Sequence, residues 1–310
     1  MPMKMASNDG IYSQFFLIAG WFIITLVAGT MYRMVLVTLY FELPCMILLC
    51  QSLACLILIQ ALKLLFPEMC NSWSTSVDLR ALPVSILFTI STILDMVSYY
   101  QCSMLLGCVA APAIALILSR PAISKRSKFP KKLSFALSCF SVLFTYLTVN
   151  ASGLTADGLP FGSATLLFNI ATFFTLRNYL RRNPISQFLF SHFSFQIIIF
   201  FIYELYQHDV HRLYLYINIW KLPNFYSVLF TFIFHFSLSL VFMCHVIVQF
   251  DLSLIAACFN TKHALQFIIT NFVFRNVAFK PYYDLTPSMY ISSIISLLVS
   301  LTKFWIDVKK

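Results

Sequence analysis

An all-α membrane protein of ten transmembrane helices, arranged as two inverted five-helix repeats, is the fold this sequence predicts. Three observations lead there. The 310-residue chain is 60% hydrophobic and only 10% charged, whereas a soluble domain carries about 25% charge. Its apolar residues gather into ten runs, each long enough to cross a bilayer and falling into two sets of five. A single lysine, Lys262, lies well inside the ninth run.

A spanning helix needs roughly 20 mostly apolar residues at 1.5 Å each. The first set reads as spans 11–32, 44–65, 82–100, 103–118 and 133–149, within residues 1–152. The second reads as 158–176, 185–206, 226–248, 252–274 and 285–306, within residues 153–310. Two of the divisions follow from length. Residues 81–119 contain no Lys or Arg, and as one helix they would reach about 58 Å, twice the hydrocarbon thickness. The chain must turn back there, and Tyr99-Tyr100-Gln101 is the expected hairpin. By the same reasoning residues 225–274 would reach about 75 Å, so a break is expected near Gln249-Phe250-Asp251.

Short cytosolic loops collect Lys and Arg, and with a cytosolic N-terminus most of the 21 basic residues fall on one face. They include Lys63, Arg80, the cluster from Arg120 to Lys132, Arg177, Arg181 and Arg182. Both termini are then cytosolic. The net charge of +10 is explained by this topology, so nucleic acid is not an expected partner; the lipid bilayer is. The first run is longer than a signal-peptide core and nine more follow, so it is expected to be retained. Nine scattered cysteines without a CxxC pair indicate neither a disulfide framework nor a thiolate metal site. The sequon Asn150-Ala151-Ser152 abuts the membrane, which argues against glycosylation.

An odd number of spans per repeat forces the second copy to enter the membrane from the opposite side. Inverted repeats recur in secondary transporters, whose binding site lies near the midplane between the copies. No GxxxxGK[ST] motif is present and the chain has only 7 glycines, so ATP hydrolysis is not expected to drive it. A gradient or exchange is the expected driving force, with no cofactor.

Lys262 is about 16 Å into its span, where a cation costs at least ~2.5 kcal/mol on insertion scales. An anion such as phosphate is the ligand that offsets this cost, with Asn260 and His263 beside it; a buried ion pair or a lysine extending to the interface is the structural alternative. Asp95 in the third span is a partner for Lys262 in the empty site or a hydrogen-bonded structural residue. Tyr99 and Tyr100 offer a stacking edge at the mouth of the site or act as interfacial tyrosines. Gly107, Ala110, Ala111, Pro112 and Ala113 make the fourth span thin, suited to close packing or an unwound segment. His235 and His245, about 280° apart on a helix, cannot share a ligand, and both are expected to face the bundle and be hydrogen-bonded. Glu204, His208 and His211, with Asp209 between them, have metal-ligand spacing on a helical turn, which leaves a membrane-embedded metallohydrolase as a competing reading.

Taken in order, Leu43-Pro44 with Gln51, Leu82-Pro83-Val84-Ser85, Asp95 to Ser98, Gly158 to Arg182 and Phe259-Asn260-Thr261-Lys262 resemble the drug/metabolite transporter superfamily. Within it they are similar to the nucleotide-sugar and triose-phosphate transporter branch, over nearly the whole chain. Phe259 stands where the motif around Lys262 has glycine, and Cys108 where many members carry a basic residue. The resemblance implies antiport of a cytosolic nucleotide sugar for a lumenal nucleoside monophosphate, in Golgi more than endoplasmic reticulum membrane, with Lys262 facing the substrate. A homodimer is compatible with it. The alternatives are an exporter of a non-nucleotide metabolite and a non-transporting membrane interaction protein.

Overall fold

A computed structural model describes residues 8–33, 43–68, 73–101, 158–207 and 212–250, with isolated positions at 35, 70, 136, 255, 265, 291, 294, 295 and 298. Apart from those isolated positions, the fourth, fifth, ninth and tenth spans lie outside the described residues. All regular structure among the described residues is helical. Six long helices carry it: α1 (Asn8–Arg33), α2 (Pro44–Leu65), α3 (Leu82–Gln101), α4 (Gly158–Leu180), α5 (Ile185–Gln207) and α6 (Pro223–Gln249).

Local chemistry sets their ends. Pro44 and Pro223 occupy the first turns of α2 and α6, where the missing N–H has no partner to lose and the fixed φ is already helical. Lys63 in the last turn of α2 complements the negative end of the helix. A 3₁₀ turn, Leu79–Ala81, leads into α3, and the Asp78 side chain caps it by accepting from the Arg80 N–H. At the end of α4 the Asn183 side-chain amide donates to the Tyr179 carbonyl at 3.1 Å, and Pro184 immediately precedes the next helix. After α6 the chain breaks at Phe250, whose backbone is extended (φ −114°, ψ 159°), as the length of the apolar run requires.

Three stretches, Pro44–Leu65, Ile185–Tyr206 and Asn224–Gln249, are long and apolar enough to cross a membrane; Phe16–Met31 and Leu79–Leu94 are shorter apolar helices. Large apolar side chains such as Phe16, Ile57, Leu64, Phe201 and Phe230 are exposed. A water-facing surface of that kind would aggregate; in lipid it is the expected exterior.

The helices pack in a definite pattern. The principal pairings are α1 with α6, α3 with α4, and α2 with α5; smaller ones join α3 to α5, α2 to α6, α2 to α3 and α5 to α6, and α4 also touches α6. Exchanging α1 with α4, α2 with α5 and α3 with α6 turns α1–α6 into α4–α3, α3–α5 into α6–α2 and α2–α3 into α5–α6, and maps α2–α5 onto itself; the α4–α6 contact alone has no α1–α3 counterpart of similar size.

Two apolar clusters mark the two ends of the bundle. One joins Trp21, Cys55, Val84, Leu176, Phe188 and Cys244 with their neighbours; the other joins Val35, Ile47, Leu48, Phe200, Phe225 and Phe232. The second half of α2 and of α6 and the described buried part of α4 lie in the first cluster, together with the first halves of α3 and α5. The first halves of α2 and α6 lie in the second, as does Phe200 late in α5. Thus α2 runs against α5 and α3 against α6. Lys63, Arg80, Arg177, Arg181 and Arg182 sit at the first end, in agreement with the charge pattern.

The α1–α6 contact depends on Gly20, where an added Cβ would come within 2.9 Å of the Phe242 ring. Gly20→Leu is expected to force the helices apart and destabilise the protein by about 1–3 kcal/mol. The check is thermal unfolding of purified protein in detergent, where a melting midpoint equal to that of the wild type would show that α1 and α6 adjust freely.

Candidate functional site

Between the two apolar clusters runs a belt of uncharged polar side chains, one to three from each of five helices. On α2, Ser52 is fully buried, and its hydroxyl proton is shared between the Leu48 carbonyl and the Gln196 Oε1, both at 2.8 Å. On α5, Gln196 turns its amide nitrogen to the Thr89 hydroxyl of α3 at 3.2 Å. Gln51, adjacent to Ser52 and 1% exposed, has a carbonyl oxygen with no hydrogen-bond partner among the described residues. Alongside, Ser91 of α3 donates to Asn169 Oδ1 of α4 at 2.7 Å, and Cys55 of α2 donates to Ser237 of α6. These residues lie roughly 10 to 21 Å from the starts of their helices.

A hydroxyl such as that of Ser52 can reach back to a carbonyl of its own helix, but each helix otherwise satisfies its own N–H and C=O groups, so a buried side-chain amide finds its partners on a neighbour. Such interhelical bonds contribute about 0.6–2 kcal/mol apiece. Ser52, Gln196 and Thr89 tie three helices together at one depth. The unpartnered Gln51 oxygen is an acceptor available to an O–H or N–H donor.

Nearer the first end, His192 of α5 is fully buried among aromatic rings. It stacks on Phe188 at 5.4 Å and meets the edge of Phe88 at 5.0 Å, and neither ring nitrogen has a hydrogen-bond partner among the described residues. Outside the apolar spans, Asp78 takes hydrogen bonds from the Arg80 N–H at 3.0 Å and the Tyr179 hydroxyl at 2.8 Å. These two donors, the backbone N–H above all, hold its carboxyl below the ordinary carboxylate range, with the Arg80 charge adding to them. A lowered carboxyl stabilises the fold above its unfolded value and loses that contribution as pH falls through the folded value. The difference in melting midpoint between wild type and Tyr179→Phe is therefore expected to stay constant from about pH 8 to about pH 5 and to shrink only below about pH 4. A difference that vanishes by about pH 6 would show that Asp78 is not the acceptor.

Of the residues singled out in the sequence, Lys262, Asn260 and His263 lie outside the described residues. Asp95, Tyr99 and Tyr100 are on α3, with side chains outside the described ones; the helix register places Asp95 one turn and Tyr99 two turns beyond Ser91. Residues 103–118 also fall outside. His235 is half-buried and its Nδ1 is 2.7 Å from the Thr231 carbonyl, as expected. His245 is a correction: it is exposed on α6, because the adjoining Cys244, Val246 and Ile247 take the buried face. Glu204 is 4% exposed on α5, while His208, Asp209 and His211 lie outside the described residues. Among the described residues no group of three or more His, Cys, Asp or Glu is placed to hold a metal ion.

Sequence reasoning passed over Ser52, Thr89, Asn169 and Gln196. The available signal was an uncharged polar residue near the middle of an apolar run, which is a functional cue when it recurs in several spans. No protein-family model matches the chain, and no curated protein matches it.

Proposed function

We infer that the chain is a secondary transporter that carries a polar solute by alternating access between two sets of helices, residues 1–152 and 153–310. The observation that carries this reading is the buried belt of hydrogen-bonding side chains at mid-depth, formed where helices of the first set meet helices of the second. Supporting it are the packing pattern that exchanges α1–α3 with α4–α6 and the opposed directions of α2 and α5 and of α3 and α6. Midplane sites between counter-oriented copies are the usual arrangement in such carriers.

The finer reading is nucleotide-sugar antiport: a cytosolic nucleotide sugar exchanged for a lumenal nucleoside monophosphate, in an endomembrane of Golgi type with both termini cytosolic. Amides and hydroxyls of the belt suit the sugar and base, and Lys262 in the ninth apolar run suits the phosphates. A second reading, export of an uncharged metabolite, is favoured by the belt itself, whose members among the described residues carry no charge.

Uptake by purified protein in liposomes separates the two, with labelled nucleotide sugars in one panel and neutral sugars and nucleosides in the other. Accumulation of one nucleotide-sugar series supports antiport, and accumulation confined to the neutral panel supports the second reading. Correctly folded protein that takes up neither would contradict both.

A further inference from the structure

The connection between α2 and α3 does more than join two helices. Its near part is held to its own set, where the Lys63 ammonium at the end of α2 donates to the Trp73 carbonyl at 3.0 Å and to the Thr75 hydroxyl at 3.3 Å. Its far part grips the other set through one residue. The Asp78 N–H donates to Ser191 Oγ on α5 at 2.9 Å, and the Tyr179 hydroxyl of α4 donates to Asp78 Oδ2 at 2.8 Å. The remaining carboxylate oxygen caps the 3₁₀ turn that leads into α3. Behind the contact, the Tyr179 ring packs on Phe188 at 5.7 Å, and Phe188 stacks on His192.

We propose that the described residues of the α2–α3 connection, 66–68, 70 and 73–81, form a strap that holds the basic end of the bundle closed, with Asp78 as its catch on Tyr179 and Ser191. The proposal rests on the transporter reading, because a carrier must separate its two sets of helices at one end while they stay together at the other. A catch made of hydrogen bonds at the edge of the membrane suits such a cycle, because on opening, water takes over the released N–H, hydroxyl and carboxylate groups. Each bond then shifts the opening equilibrium by only about fivefold. The apolar cluster beneath it, with the Phe188–His192 stack, separates only after the strap has lifted. The lowered carboxyl of Asp78 keeps it an acceptor at neutral pH, so the catch is set by the conformational cycle and not by proton binding.

Cys70 lies within the strap, is buried and carries a free thiol, which makes it a native reporter. The test is the rate at which a membrane-impermeant maleimide modifies Cys70 in the purified full-length protein without substrate, read at that residue by mass spectrometry. Tyr179→Phe, which removes one oxygen and keeps the ring, and Ser191→Ala are each expected to raise the rate about fivefold. Asp78→Ala should raise it further, and adding Tyr179→Phe to Asp78→Ala should change nothing more, because the acceptor is already gone. Wild-type rates in both Tyr179→Phe and Ser191→Ala would overturn the strap, as would equal additive effects in the double variant. Should Asp78→Ala fail to fold, the two milder variants decide alone. Unchanged labelling beside intact uptake refutes the strap only; raised labelling in a protein that transports nothing refutes the carrier cycle the strap serves.

Discussion

Gln196→Leu is expected to reduce uptake more than tenfold and to lower the melting midpoint of the purified protein. Its amide oxygen accepts from Ser52 and its amide nitrogen donates to Thr89, so the substitution leaves hydroxyls on two other helices without that partner. Losing two interhelical hydrogen bonds in a membrane interior is worth about 1–3 kcal/mol. Ser52→Ala should be milder, since Gln196 keeps its bond to Thr89 and no new bulk is introduced. The comparison separates structure from function: a Gln196→Leu protein with lowered stability but wild-type uptake would make the belt a packing device. Loss of uptake in folded protein, with Ser52→Ala in between, is the result expected of a binding site.

Lys262→Ala is expected to abolish uptake of nucleotide sugars while raising the stability of the empty protein or leaving it unchanged. A cation deep in an apolar span is unfavourable by at least ~2.5 kcal/mol unless compensated, so its removal relieves the empty state and deprives the phosphates of their partner. The effect should appear as loss of the melting shift produced by nucleoside monophosphate as well as loss of flux. Retained uptake of nucleotide sugar by Lys262→Ala would remove the lysine from the site, and retained uptake of a neutral solute alone would favour the metabolite exporter.

Helix positions were legible in the sequence wherever prolines or length arguments bounded an apolar run. The second span, 44–65, agrees with α2 residue for residue, because Pro44 starts it and Phe66-Pro67 stops it. The break after α6 at Phe250 followed from the 50-residue run being too long for one crossing. Ends set by hydrogen bonding were less legible: α4 continues to Leu180, beyond the expected 176, because the backbone ladder does not stop where the hydropathy falls. The histidines show the same limit on faces. The sequence suggests the same inward role for His235 and His245, yet helical register against the neighbours turns only His235 inward.

Only a residue that is anomalous by itself can be singled out from the sequence. Lys262 is one, through its desolvation cost, and it lies outside the described residues. Ser52, Thr89 and Gln196 are each unremarkable in an apolar run, and what makes them a belt is packing between residues 144 and 107 positions apart in the chain. A single sequence without pairwise contacts carries no such information.

Counterflow separates exchange from one-way transport. Liposomes containing the purified protein are loaded with UMP, GMP, CMP or nothing, and the initial rate of labelled nucleotide-sugar entry is compared across the set. An empty carrier returning with an unpaired cation in a low-dielectric interior is slow, so one internal monophosphate should accelerate entry at least tenfold and the others little. Equal entry rates with and without internal nucleotide, in protein that does transport, would contradict alternating access by obligatory exchange.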